Sequence, residues 1–151
     1  MKRASVYLAI LVILSSFILM QCKDKPTQPD TRELIYGGWL LEHSRGGIAN
    51  LDIFADSADY SRGFIFGKRM VCEEIYNDTV RFSGPYVFED SISPNGETLL
   101  LISITTYYGE ADPLKWIVDY ADEDSLIVTE DREDAMIFKF NRFNFINLCA
   151  P

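Results

Sequence analysis

The chain has 151 residues, a formal net charge of −9 at pH 7 and a single histidine. This acidic balance argues against a nucleic-acid partner, because binding to phosphates requires a basic face on the protein. Residues 22–151 are enough for one domain, and a domain of this size buries about two thirds of the surface of its unfolded chain.

Residues 1–21 have the pattern of a bacterial export signal. Lys2 and Arg3 precede an apolar run at residues 6–14, which resumes at residues 17–20. A charged start and a short apolar stretch are typical of a signal peptide, and the apolar region is shorter than the roughly 20 residues of a membrane-spanning helix. We therefore expect residues 1–21 to be a signal peptide, with an uncleaved anchor helix as the alternative.

Residues 19–22, Leu-Met-Gln-Cys, resemble the lipobox at which bacterial lipoproteins are lipidated and cut. The resemblance implies that Cys22 is the lipid attachment site and the first residue of the mature protein; an ordinary cleaved signal is the alternative. Acyl chains anchor proteins stably in a membrane. We therefore expect a protein of the bacterial cell envelope, anchored to the outer membrane on its periplasmic or surface face. Residues 22–30 are polar and contain two prolines, so they are predicted to form a flexible tether.

Two cysteines remain if Cys22 is lipidated. An exported protein meets an oxidising compartment, which favours a disulfide between Cys72 and Cys149. Two buried free thiols are the alternative. No metal site is predicted, because two distant cysteines and one histidine do not supply a four-ligand set.

The rest of the chain, residues 31–151, is predicted to be one β-domain. Asp30 and Glu33 have the spacing of a capping box, which predicts a single helical turn that ends near Gly37 and Gly38. After this turn, short runs of β-branched and aromatic residues between turn residues predict about eight strands with short antiparallel connections. The predicted strands are residues 39–44, 48–54, 63–76, 79–89, 99–107, 114–120, 125–130 and 135–143.

Two of these runs leave alternatives open. Residues 63–76 are long enough to form two strands, broken near Gly67 and Lys68. Residues 114–121 also fit a helical face that begins at Asp112-Pro113, although their β-branched and aromatic residues favour a strand. Several runs alternate between apolar and polar residues, which indicates a barrel or sandwich with one buried face.

Two short motifs give a more specific fold. Gly37 and Trp39, placed after a helical turn at the start of the first strand, match the Gly-x-Trp signature of lipocalin-like families. Residues 116–118, 124–128 and 138–142 resemble the closing strands of small bacterial lipocalin-like lipoproteins. The resemblance covers roughly residues 31–143.

The resemblance implies an all-β fold: an antiparallel up-and-down barrel of about eight strands with a short N-terminal helical turn. It places Trp39 at the closed end and Arg142 over that tryptophan, with Gly37 in the same closure. A disulfide between the C-terminal tail and the barrel is also common in the family. An eight-stranded barrel is either filled by side chains or holds one small ligand.

Seven side chains are predicted to line such a calyx. The strand alternation assigns Leu41, Ile102, Trp116, Val118 and Phe138 to this lining, and Phe66 and Phe82 are added to them without support from that pattern. Our first hypothesis is therefore a lipid-anchored barrel that binds a small apolar ligand. The second is a barrel with a filled core that acts as a structural or interaction module with a protein partner in the envelope.

Catalysis is not expected from this sequence. His43 is the only histidine, and its place on an apolar strand face is more typical of a structural residue than of a general base. The acidic region at residues 119–134 lacks the glycine of an EF-hand loop, so it is interpreted as a solvated rim rather than a calcium site. No cofactor is predicted.

Overall fold

The protein is described by a computed structural model in which residues 30–143 are placed. The predicted signal peptide, most of the tether, the lipid attachment site Cys22 and the disulfide partner Cys149 lie outside the described residues. One short helix, α1, spans Thr31–Ile35 and precedes the first strand. The strands are β1 (Gly37–Gly46), β2 (Leu51–Phe54), β3 (Arg62–Gly67), β4 (Val71–Tyr76), β5 (Thr79–Ile92), β6 (Thr98–Ile104), β7 (Leu114–Ala121), β8 (Ser125–Glu130) and β9 (Met136–Phe143).

The strands form a closed antiparallel barrel of eight strands, to which β2 is added as an extra strand. The barrel closes because β1 pairs with β9 along its length, from Gly38 opposite Phe143 to Gly46 opposite Met136. The other edge of β1 is shared between β3 in its first half and β2 in its second half. The predicted all-β barrel with a short N-terminal helical turn is therefore confirmed.

The helical turn forms where the sequence predicts it. The Asp30 side chain accepts a hydrogen bond from the backbone N–H of Arg32 at 3.2 Å, which caps the first turn. The Ile35 side chain at the other end of α1 is fully buried. The chain then enters β1 through Gly37, whose φ of +124° strongly favours glycine.

The strand boundaries differ from the prediction at identifiable turns. Residues 63–76 form two strands, β3 and β4, joined by a turn in which Met70 has a positive φ of 59°. The strand predicted over residues 99–107 ends at Ile104, because Thr106 and Tyr108 adopt left-handed backbone conformations that break the ladder. Residues 114–121 form a strand, so the helical alternative for this segment is wrong.

The long strand β5 changes its partner midway. Its first half pairs with β4 up to Pro85, and from Tyr86 onward it pairs with β6. The strand therefore continues through Gly84 and Pro85, where the sequence predicts a bend. At its other end, Asn77 and Asp78 both have positive φ, as the tight turn between β4 and β5 requires.

The interior of the barrel is filled mainly by aromatic rings. Phe64 meets Trp116 edge to face with ring centroids 4.8 Å apart, and Phe66 meets Tyr86 in the same manner at 5.2 Å. Phe138 lies 5.8 Å from Trp116 between the centroids. Such pairs are stabilising beyond the area that they bury. The core is thus a continuous aromatic cluster between the two ends of the barrel.

Candidate functional site

The seven side chains predicted to line a calyx all belong to this packed interior or lie against it. Leu41, Phe66, Ile102, Trp116 and Phe138 are buried, and Phe82 and Val118 are partly buried against the same cluster. Several of them contact one another: Trp116 lies against both Phe66 and Phe138. The predicted lining residues therefore share the inside of the barrel, where they act as packing partners.

The closed end of the barrel is built around Trp39. The indole Nε1–H donates to the backbone carbonyl of Ile35 at 2.7 Å, and the guanidinium carbon of Arg142 lies 4.1 Å from the ring centroid. Arg142 also donates to the carbonyl oxygens of Tyr36 and Leu34, each at 2.6 Å. One arginine on β9 thus connects the last strand, the first strand and the end of α1.

Gly37 completes this closure through its lack of a side chain. A Cβ at this position would lie 2.7 Å from the guanidinium nitrogen Nη1 of Arg142, and its positive φ already disfavours other residues. The structure therefore brings together the three residues Gly37, Trp39 and Arg142 that the lipocalin resemblance implies. Burial lowers the pKa of Arg142, and nearby acidic residues, beginning with Asp124, offset part of that effect. An arginine remains charged under all ordinary conditions.

The end of the barrel opposite α1, which we call the open end, carries a buried polar network centred on Glu74. This residue lies on β4, is only 4% exposed, and accepts a hydrogen bond from Arg62 Nε at 2.6 Å. Its second oxygen accepts hydrogen bonds from the hydroxyls of Tyr107 at 2.7 Å and Tyr108 at 2.8 Å. Both oxygens of this buried carboxylate therefore have at least one donor, as a buried charge requires.

The ionisation of the groups around Glu74 reflects the same contacts. Burial acts against the charge of Arg62, but the attraction and hydrogen bonds of Glu74 and Tyr107 together outweigh it, and the pKa of Arg62 is raised. Burial, followed by the hydrogen bond to Glu74, raises the pKa of Tyr107 above its ordinary value. The network therefore consists of the Arg62–Glu74 ion pair and two phenol hydroxyls that donate to it.

A cleft of about 590 Å³ opens beside this network. It is lined by Arg62 and Tyr107, by residues of β7, and by the end of β8 with the loop that follows. Its full lining is Arg62, Tyr107, Glu110, Asp112, Pro113, Leu114, Lys115, Trp116, Glu130, Asp131 and Arg132. We define these residues as the open-end cleft. Its volume falls within the range of small-molecule and peptide-side-chain sites.

The walls of the open-end cleft are held by further buried contacts. Glu130 is 8% exposed and accepts a hydrogen bond from the backbone N–H of Met136 at 3.2 Å. The same carboxylate forms an ion pair with Arg132 Nη2 at 2.5 Å. The backbone N–H of Asp131 donates to the carbonyl of Lys115 at 3.0 Å, which ties the loop to β7. The cleft is thus formed by fixed strands and a braced loop.

His43 does not belong to this end of the interior. Its Nε2 lies 2.5 Å from Asp52 Oδ1, and its ring stacks on Phe54 with centroids 4.3 Å apart. These contacts join β1 to the extra strand β2 and account for the histidine as a structural residue. Across residues 30–143, no group of three or more histidine, cysteine, aspartate and glutamate side chains is placed to hold a metal ion.

The residues around Glu74 were not predicted from the sequence as a site. The signal was present in the strand alternation, because Arg62 shares a face with Phe64 and Phe66, and Glu74 shares a face with Cys72. An arginine and a glutamate on the inward faces of adjacent strands are expected to form a buried pair. The pairing of β3 with β4, which places Phe64 opposite Glu74, could not be read from the sequence.

Cys72 is fully buried at the closed end of the barrel and forms no disulfide within residues 30–143. Burial, together with Glu74 and Glu73, raises the pKa of its thiol. The last described residue, Phe143, lies at the same end and pairs with Gly38 on β1. The neighbouring residue Gly37 pairs with Phe66 on β3, and Phe66 in turn pairs with Cys72 on β4. Three strand spacings of about 4.8 Å separate these positions.

The predicted disulfide between Cys72 and Cys149 remains compatible with this geometry. The six residues from Phe143 to Cys149 reach roughly 20 Å when extended, which exceeds the distance along the barrel wall. We expect protein that is unfolded without reductant to resist alkylation at both cysteines, and a proteolytic digest to yield one linked peptide. The test must use unfolded protein, because burial alone would protect Cys72. Alkylation of both thiols before reduction would contradict the pairing.

No protein-family profile, curated protein or solved structure matches this chain. In the part of the chain from residue 30 to residue 143, the structure contains no helix with the length and apolar character needed to cross a membrane.

Proposed function

We propose that this chain is a lipoprotein of the bacterial cell envelope, anchored through Cys22, whose filled barrel acts as an interaction module. The anchor rests on the export pattern of residues 1–21 and on the lipobox-like sequence that ends at Cys22. The barrel rests on the described structure. Together they give a compact domain held near a membrane by a tether of a few polar residues.

The filled interior is the observation that carries the choice of an interaction module over a carrier of an apolar ligand. Trp39, Phe64, Trp116 and Phe140 are each about 1% exposed and pack in one cluster. A protein interior is close-packed, so a ligand there would have to displace these rings. The open-end cleft reaches this cluster at Trp116, and most of its lining consists of charged side chains.

The exterior of the barrel fits the same role. The chain has a formal net charge of −9, and removal of Lys2 and Arg3 with the signal peptide takes this net charge to about −11. Charge of one sign raises the rate of encounter with an oppositely charged partner. The partner is therefore expected to carry a basic surface, and the open end of the barrel, with its braced cleft, is the surface we assign to the contact.

One mass-spectrometry experiment tests the anchor and the filled interior together. Full-length protein produced in a Gram-negative host is extracted in mild detergent and measured under native and then denaturing conditions. We expect a denatured mass equal to residues 22–151 plus covalent acyl groups, and no additional mass under native conditions. A chain that retains residues 1–21 would contradict the anchor. A stoichiometric apolar compound that leaves on denaturation would instead support the hypothesis of a small apolar ligand.

A further inference from the structure

The connection between β6 and β7 is attached to the rest of the barrel by side chains alone. Residues 106–113, which we call the lid, lie between the pair formed by Ile104 and Leu114, and all of them except Tyr107 are exposed. Within residues 30–143, the backbone hydrogen bonds of the lid join only residues of the lid to one another. No backbone hydrogen bond therefore fixes the lid to the sheet.

The side-chain attachment is concentrated in two adjacent tyrosines. The hydroxyls of Tyr107 and Tyr108 donate to the same oxygen of Glu74, at 2.7 Å and 2.8 Å, and Arg62 Nη2 donates to the Tyr107 hydroxyl at 3.1 Å. Both rings also contact Phe82, with centroids 5.0 Å and 5.7 Å apart. The hydrogen bonds and ring contacts between the lid and the described barrel thus all pass through these two side chains.

The closed position of the lid strains its own backbone. Thr106 and Tyr108 have φ values of 54° and 49°, in the left-handed region that β-branched and bulky residues seldom adopt. Each such position disfavours the closed conformation about fivefold or more. Strained residues of this kind persist only where their surroundings hold them, and they are concentrated at clamps and switches. The bonds to Glu74 therefore hold the lid closed against the preference of its backbone.

The lid forms one wall of the open-end cleft. It contributes four of the residues that line the cleft, which are Tyr107, Glu110, Asp112 and Pro113. The other loop of the cleft follows β8 and is tied to β7 by the hydrogen bond from the Asp131 N–H to the Lys115 carbonyl. The two loops thus differ, because a backbone hydrogen bond fixes the loop after β8 and only side chains fix the lid.

We propose that residues 106–113 form a hinged lid, latched to Glu74 by the hydroxyls of Tyr107 and Tyr108, and that release of this latch widens the open-end cleft toward Glu74 and Phe82. Glu74 is 4% exposed while both phenols are bonded to it. The lid itself follows from the described contacts. Its bearing on a partner rests on the proposed function, which places the contact at the open end.

Limited digestion with chymotrypsin measures how readily the lid leaves the barrel, because the protease cleaves after tyrosine or phenylalanine in segments that open locally. Tyr107→Phe combined with Tyr108→Phe removes both hydroxyls and keeps both rings and both cleavage sites. The lost hydrogen bonds to a charged acceptor predict cleavage after residues 107 and 108 at least tenfold faster, followed by mass spectrometry of the full-length protein in mild detergent. We expect the cleaved protein to keep its near-ultraviolet circular dichroism.

Three comparisons in the same digests separate the latch from general effects. Tyr120→Phe removes a hydroxyl that donates to Asp122 at 2.7 Å, far from the lid in the sheet, and is expected to leave cleavage of the lid unchanged. Cleavage after Tyr60, in the loop before β3, is expected to keep its rate in every variant. Thr106→Gly relieves one left-handed residue and should slow cleavage of the lid about fivefold in the double phenylalanine variant.

The opposite results are equally clear. Unchanged cleavage after residues 107 and 108 in the double variant would overturn the latch. Equal acceleration after Tyr60 would show that the whole barrel has loosened, and loss of the circular dichroism signal on cleavage would show that the lid is an integral part of the fold. Either result would overturn the lid. None of them bears on the anchor or the filled interior, which the mass measurement tests.

Discussion

Replacement of Glu74 by leucine is expected to lower the free energy of unfolding by about 3 kcal/mol. The carboxylate is 4% exposed and forms an ion pair with Arg62, whose side chain is 26% exposed. Glu74→Leu would leave that guanidinium half-buried without its counter-charge and remove the acceptor of the Tyr107 hydroxyl. Urea unfolding of the purified protein, followed by circular dichroism, measures the loss.

A double variant shows whether the cost comes from the unpaired charge. Arg62→Leu together with Glu74→Leu removes both charges, and we expect it to recover most of the stability lost by Glu74→Leu, because well-packed apolar groups often replace a buried ion pair at little cost. The matched control is Glu33→Leu, whose ion pair with Lys68 is largely exposed. That variant should cost under about 1 kcal/mol. A double variant as unstable as Glu74→Leu alone would contradict a dominant role for the ion pair.

The strand pattern predicts most of the fold because the barrel has one apolar and one wet face. The alternation in β6, β7 and β9 assigns Ile102, Trp116 and Phe138 to the inside, and the structure places all three there. The sequence does not decide whether residues 63–76 form one strand or two, since a turn built on Met70 with a positive φ has no strong sequence signal. Local sequence identifies strands more securely than it identifies turns built on residues that seldom adopt a positive φ.

What the sequence could not predict is the state of the interior. The same inward-facing aromatic residues could line a calyx or fill one, because alternation gives the side on which a residue lies and not the distance to the residue opposite. In the structure, the T-shaped contact of Phe64 with Trp116 spans β3 and β7, two strands that are not neighbours in the sheet. Packing across a barrel depends on its diameter, which follows from closure of the whole sheet.

The open-end cleft also depends on closure of the whole sheet into a barrel. Arg62 and Tyr107 are 45 residues apart, yet Arg62 Nη2 donates to the Tyr107 hydroxyl at 3.1 Å. The turn that presents Tyr107 follows β6, and left-handed backbone at Thr106 and Tyr108 shapes it. Neither residue type is a usual site for this conformation, so no turn motif predicts it.

The second large effect is expected at the closed end, where Trp39→Ala should cost about 3 to 5 kcal/mol. This change removes a side chain that is 1% exposed and leaves the guanidinium of Arg142 without the ring below it. It also leaves the Ile35 carbonyl without its donor, since Trp39 Nε1–H bonds to it at 2.7 Å. Because α1 and β9 both contact this indole, we expect unfolding to remain one cooperative transition at a lower urea concentration.

The chain supplies a matched control for the hydrogen bond within that effect. Trp39→Phe and Trp116→Phe make the same change at two buried tryptophans, but only Trp39 has a partner for its Nε1–H among the described residues. Trp39→Phe should therefore cost about 1 to 2 kcal/mol more than Trp116→Phe, from the lost hydrogen bond and the weaker attraction between phenylalanine and Arg142. Equal losses would show that packing alone sets the stability of the closed end. A coupling of about 0.5 to 1 kcal/mol between Trp39→Phe and Arg142→Leu would assign part of the difference to the cation–π contact.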